Sequence, residues 1–239
     1  EYCSACHKVS LPGELTHYKE WLRGQNHYDN FLLSGVSGSN ARAFYFPPKA
    51  ESNCNGCHMQ LEQSTDFGAR FFDDSGKLKI HDHLYPSANT ALPHIRNAPD
   101  WVIEEHEQFH QGNLRVDIFG VKEGGTVDRP LTAPIRPEIP VLKPGQTYLF
   151  EIVIRTLKLG HIFTQGTADS NQVWLDVKVE DDGGVLGQSG RVDEQKRVDP
   201  WSHFVNVYML DKDGNRIDRR NAGDIFTPLY NNQIPPGAG

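Results

Sequence analysis

Four cysteines are present in 239 residues, and all four sit in two identical arrangements. Cys3-Ser4-Ala5-Cys6-His7 and Cys54-Asn55-Gly56-Cys57-His58 are each a Cys-x-x-Cys pair followed at once by histidine. This spacing is the attachment motif for c-type haem. Two thiols add across the two vinyl groups of a porphyrin, and the neighbouring imidazole reaches the iron as proximal ligand. A structural zinc site, a pair of disulfides or a redox dithiol would use the cysteines but not a histidine directly after both pairs. The expectation is therefore two covalent haem c groups held by Cys3, Cys6, His7, Cys54, Cys57 and His58, leaving no thiol for a disulfide.

The sixth position on each iron decides between carrying electrons and doing chemistry, because a second protein ligand closes the metal and an empty position opens it. Methionine is a poor source. Met59 is adjacent to His58, and Met209 lies in a strand-like run. Bis-histidine ligation is the expectation. Nine further histidines compete for two positions, and most must be surface or hydrogen-bonded imidazoles. His27 and His83 are the first choices. His27 is flanked by Tyr28 and Phe31, and His83 follows His58 by 25 positions, within His81-Asp82-His83. His81, His17 and His161 stand behind them, and Asp82 could fix one imidazole tautomer. His106 and His110 are one helical turn apart, a spacing that suits zinc but lacks a third ligand. An open iron with Arg23, Tyr28, Arg42 or Tyr45 beside it is the alternative, an enzyme acting on a small nitrogen, sulfur or peroxide species.

The elements that must position these groups differ along the chain. Residues 1–112 hold both motifs and show little strand patterning. A helix is expected within 13–33, where Tyr18, Trp21 and Leu22 recur at helical spacing, and another over 100–111 with Asp100 as cap and Trp101, Val102 and Phe109 in apolar contact. Residues 113–239 read as β. Strands are expected at 114–121, 147–156, 172–180 and 203–210. In 172–180, Val173, Leu175, Val177 and Val179 alternate with polar positions, as a half-buried strand does. Pro144-Gly145, Asp181 to Gly184 and Asp211 to Asn215 are turn signals. Asp211 to Asn215 lacks the remaining positions of a calcium loop and reads as a hairpin. The expected class is α+β: a mostly irregular haem-binding domain with short helices over 1–112, then an antiparallel β-sandwich over 113–239.

Composition agrees. Hydrophobic residues are 37%, with 22 glycines and 15 prolines, which suggests a core completed by something other than side chains. The formal charge of −7, with no basic stretch interleaved with aromatics, argues against nucleic acid. No apolar run is long enough for a transmembrane helix. Covalent haem attachment places the mature protein outside the bacterial cytoplasm, in the periplasm or at the cell surface. We expect the gene product to be longer at one or both ends. The 51 positions between Cys3 and Cys54 suggest that each haem has substantial protein around it.

With these motifs and their flanking phrases, the chain resembles bacterial multihaem c-type cytochromes that join a haem-binding segment to a β-sandwich. The phrases are residues 23–29, 34–38, 53–59, 81–92 and 160–166. The resemblance implies single-electron transfer, with distal ligands from His83 and from His161 in its Gly-His-x-Phe phrase. It also implies redox partner proteins or further haem-bearing chains, within an oligomer or larger multihaem assembly. A surplus histidine could then serve a haem attached elsewhere.

Overall fold

The computed structural model describes residues 2–10, 14, 23–88, 90–165, 170–218 and 221–239. Its class is α+β, with few short helices and many strands that pair antiparallel in several small sheets. Contacts divide the chain into two compact units that interleave in sequence. The first combines residues 1–54 with 159–236, and the second combines 55–158 with 237–239. The expected cut at 112 followed composition, whereas these units follow contacts.

In the first unit, α1 (Ser4–His7) runs directly into β1 (Lys8–Ser10), which pairs with β2 (Arg23–Asn26). β2 runs directly into α2 (His27–Leu33). Of the helix expected within 13–33, Glu14 and residues 27–33 are helical among the described residues, and 23–26 is strand. Most of residues 11–22, with Tyr18, Trp21 and Leu22, lie outside the described residues. Asn26 caps α2, its side-chain oxygen accepting the Asp29 N–H at 3.1 Å. A short 3-10 turn, Gly35–Ser37, follows and is buried throughout.

In the second unit, α3 (Asn55–His58) precedes a three-stranded sheet of β3 (Leu61–Gln63), β4 (Arg70–Phe71) and β5 (Leu78–His81), with β5 central. α4 (Ala91–Ile95) and α5 (Asp100–His110) come next. Pro99, not Asp100, occupies the N-cap of α5, and Trp101 is 58% exposed rather than packed. β6 (Leu114–Glu123) pairs along its length with β8 (Tyr148–Thr156) and at its end with β7 (Leu131–Thr132). A Cβ at Gly120 would lie 2.6 Å from Leu131 Cδ1 and 3.2 Å from the Thr132 carbonyl, so a side chain there would displace Leu131. One sheet face leaves Val116 and Ile118 more than half exposed.

The remaining strands belong to the first unit. The run expected at 172–180 is two strands, β9 (Trp174–Leu175) and β10 (Val177–Asp181). They separate at Asp176, because β9 pairs with β12 (His203–Phe204) and β10 with β11 (Gly184–Ser189). Val179 is 55% exposed, so the alternation there does not mark a buried face. β13 (Val207–Leu210) lies between β14 (Arg216–Ile217) and β15 (Thr227–Asn231). The β13–β14 hairpin is the turn at Asp211. Its Oδ1 accepts the Asp213 and Asn215 N–H groups at 2.9 and 2.8 Å, and Gly214 takes φ +84°. Those amides hold the Asp211 carboxyl below its ordinary value, the Asn215 side chain contributing most.

Buried hydrophobic side chains among the described residues are eight: Phe31, Val36, Val121, Ile135, Val205, Val207, Ile217 and Ile225. Ile217 and Ile225 form one small cluster with Met209 against it. No helix among the described residues is long and apolar enough to cross a membrane.

Candidate haem-attachment sites and their histidines

Each motif folds as a single helical turn. In the first, the His7 and Cys6 N–H groups donate to the Cys3 carbonyl at 2.9 and 3.3 Å. Cys3, Cys6 and His7 thus stand at i, i+3 and i+4, neighbours on one face of a helical turn. The second motif is built alike by α3, with the Met59 N–H donating to Asn55 at 3.0 Å and Cys54, Cys57 and His58 at the same offsets. All four cysteines are free thiols, Cys6 exposed and the others half-buried. Cys54 lies beside Cys3. Burial pushes the Cys54 thiol above its ordinary value, and the adjacent Cys3 thiol raises it further.

The strand register carries His7 to His27. Lys8 pairs with Asn26, so the preceding and following residues, His7 and His27, face each other at the end of the ladder. Their Nδ1 atoms are 3.4 Å apart and their ring centroids 5.0 Å. His161 stands on the other side of His27, its ring centroid 5.2 Å away and near perpendicular. Lys8 Nζ pairs with Asp29 at 2.8 Å and ties β1 to α2. The Gln165 amide donates to the Asn26 carbonyl at 3.0 Å, and the Ser34 hydroxyl lies 3.1 Å from the Gly160 carbonyl. Gly160 itself rests on Phe31 and Val36. Of the expected distal candidates, His27 is brought to His7, and His161 to the other side of His27. His17 lies outside the described residues.

In the second unit, His58 Nδ1 lies 3.0 Å from the Pro86 carbonyl. A carbonyl on one imidazole nitrogen fixes the tautomer and orients the ring, so a metal would take Nε2. His81, paired across the sheet with Leu61, has Nδ1 on the Met59 carbonyl and its ring edge-on to Phe72 at 5.0 Å. His83 is exposed and stands edge-on to Tyr85 at 6.0 Å. Asp82 turns its carboxylate to the backbone and not to either imidazole. Its Oδ1 accepts the Leu84 N–H at 3.0 Å and closes a turn. His106 is buried with Nδ1 against the Ser87 backbone. His94 and His203 are exposed.

Among the described residues no group of three or more His, Cys, Asp or Glu side chains converges to hold a metal alone. A macrocycle supplies four iron ligands itself and asks the protein only for axial imidazoles and the thiols that anchor its edge. Tyr2, Phe44 and Tyr45, in the same unit as the first motif, are exposed by 95%, 87% and 91%. Comparison with family models, with curated proteins and with solved structures found no match.

Proposed function

We propose that the chain is an extracytoplasmic dihaem c-type cytochrome that passes single electrons. The observation carrying this is the repeated helical turn that sets two thiols and an imidazole on one face, at Cys3, Cys6 and His7 and again at Cys54, Cys57 and His58. When bound, the haems supply a reversible one-electron couple on iron. The protein's own residues do the rest. The cysteines fix each macrocycle, and His7 and His58 take the proximal positions. The Pro86 carbonyl orients the His58 ring and makes it a stronger donor. His27, with His161 beside it, would hold the iron of the first site together with His7. His83 and His81 are the sequence-based choices for the second.

The strands after residue 113 serve as scaffold, whether or not they complete a sandwich. The exposed Val116 and Ile118 on one sheet face suit burial against a redox partner or a further haem-bearing chain. The periplasm or cell surface is the compartment where such attachment occurs.

The deciding experiment is intact mass together with a reduced spectrum before and after carbon monoxide. The expected result is a mass heavier than the polypeptide by two haems, with a c-type spectrum that the gas leaves unmoved. Absence of covalent haem overturns the proposal. Two haems with a shifted Soret band place an open iron in the protein and favour an enzyme instead.

A further inference from the structure

α2 and the 3-10 turn after it bring the first cysteines of the two motifs together. On one side, the β1–β2 ladder and the Lys8–Asp29 ion pair at 2.8 Å hold α1, and Cys3 with it, to the start of α2. On the other, the Glu51 N–H donates to the Val36 carbonyl at 2.8 Å and ties the segment leading to Cys54 onto the 3-10 turn. Both cysteines belong to the first compact unit, and their side chains are in hydrogen-bond contact.

Both sulfurs can move without disturbing the fold. Each cysteine precedes its helical turn, since α1 begins at Ser4 and α3 at Asn55. Rotation about χ1 shifts each sulfur and leaves the backbone hydrogen bonds intact. Two thiols already in contact need only such rotations and a small approach to reach the S–S length of about 2.05 Å. Both are free and half-buried, open to a small oxidant. Four cysteines allow three pairings, and the contact favours the one that links the motifs.

We propose that the haem-free chain has a second modification site, a disulfide between Cys3 and Cys54, formed by exchange with a low-molecular-weight disulfide. One cysteine thiolate attacks that disulfide and expels one of its thiolates. The other cysteine then attacks the mixed disulfide and expels the second. Two electrons pass to the reagent, and the two cysteine protons pass to the thiolates released. The compartment proposed above is an oxidising one, where such bonds persist. A sulfur held in this bond cannot add to a vinyl group, so the link withdraws one anchor from each motif until a thiol reductant restores it. That consequence rests on the haem reading; the bond itself does not.

The test uses the full chain, produced without haem and incubated with oxidised glutathione, then alkylated and digested without reductant. The expected product is lighter than the reduced chain by two hydrogen atoms, contains a cross-linked peptide pair bearing Cys3 and Cys54, and is alkylated at Cys6 and Cys57. In denaturant the same treatment should lose this selectivity and favour pairs within each motif. A Cys6→Ser/Cys57→Ser variant keeps only the two proposed partners. It should form the link faster in buffer than in denaturant, and faster as pH rises, because thiolate is the attacking form. Pairing within each motif in buffer overturns the proposal, as does a Cys6→Ser/Cys57→Ser chain that oxidises no faster folded than unfolded. Native protein without covalent haem by mass would overturn the haem reading and leave the disulfide standing.

Discussion

His7 and His27 meet with their Nδ1 atoms 3.4 Å apart although twenty positions separate them, and a two-strand ladder is the cause. Lys8 opposite Asn26 is the last pair of that ladder. The histidine that ends α1 and the histidine that begins α2 are the next pair outward. The approach of His27 to His7 is thus a matter of strand register, and a slip by one residue would exchange His27 for a neighbour.

From this follows a division of labour between His27 and His161. His27→Ala should turn one of the two haems high-spin in the visible and electron-paramagnetic-resonance spectra. His161→Ala should leave both low-spin, because His161 reaches His27 rather than His7. The reverse pattern would make His161 the ligand and His27 its spacer.

The platform beneath these histidines has little tolerance. Gly35 is buried in its 3-10 turn, and a Cβ there would lie 2.0 Å from the Phe46 carbonyl oxygen and 3.0 Å from that of Arg42. Both obstacles are backbone and cannot swing aside. Gly35→Ala should lower stability by about 1–3 kcal/mol, the usual cost of overpacking. Ser34→Ala, which loses the hydroxyl between Phe31 and Gly160, should cost about 1 kcal/mol. Denaturant unfolding measures both, and a neutral Gly35→Ala would contradict the packing described.

Part of this was legible in the sequence. Strands at 114–123 and 148–156, the helix ending at His110 and the hairpin at Asp211 each carry a local signal, either periodicity or turn chemistry. Other elements carry none. β3 and β4 are exposed and β5 is no more than half-buried, so no buried face imposes alternation on them. α4 contains Pro93, which reads as a breaker. The motif cysteines and histidines were read from spacing alone, since thioether chemistry fixes that spacing. The partners of those motifs come from register and from burial. His110 illustrates this: one turn from His106, it suggested only an incomplete zinc pair, and the burial of its Nε2 without a hydrogen-bond partner is visible only in the structure.

The sheet that carries His81 has its own pH signature. The hydrogen bond from Lys79 Nζ to Asp73 at 2.6 Å, helped by Ser75, holds the Asp73 carboxyl at about 2. A carboxyl depressed in the folded state favours folding above its unfolded value, near 3.9, and loses that contribution as pH falls through the folded value. The Asp73 carboxyl carbon should therefore titrate near 2 by NMR. Lys79→Met should move the midpoint back toward the ordinary range, and an unmoved midpoint would mean the ion pair is not its cause.

Cys3 and Cys54 are 51 positions apart in sequence, yet their thiols are neighbours. Each is the first cysteine of its motif, so two haems attached there would share adjoining anchor points. Neighbouring haems sense each other's charge. Two unit charges about 10 Å apart at an effective dielectric constant of about 20 interact by about 1.7 kcal/mol. For a one-electron couple that corresponds to about 70 mV. The comparison is between the native protein and two single-haem variants, Cys3→Ala/Cys6→Ala and Cys54→Ala/Cys57→Ala. Independent haems would give a native titration that is the sum of the two variants. Coupled haems should give native waves split further apart than that sum by some tens of millivolts, with broadened paramagnetic resonance in the oxidised state. A simple sum would separate the two haems despite their adjoining cysteines.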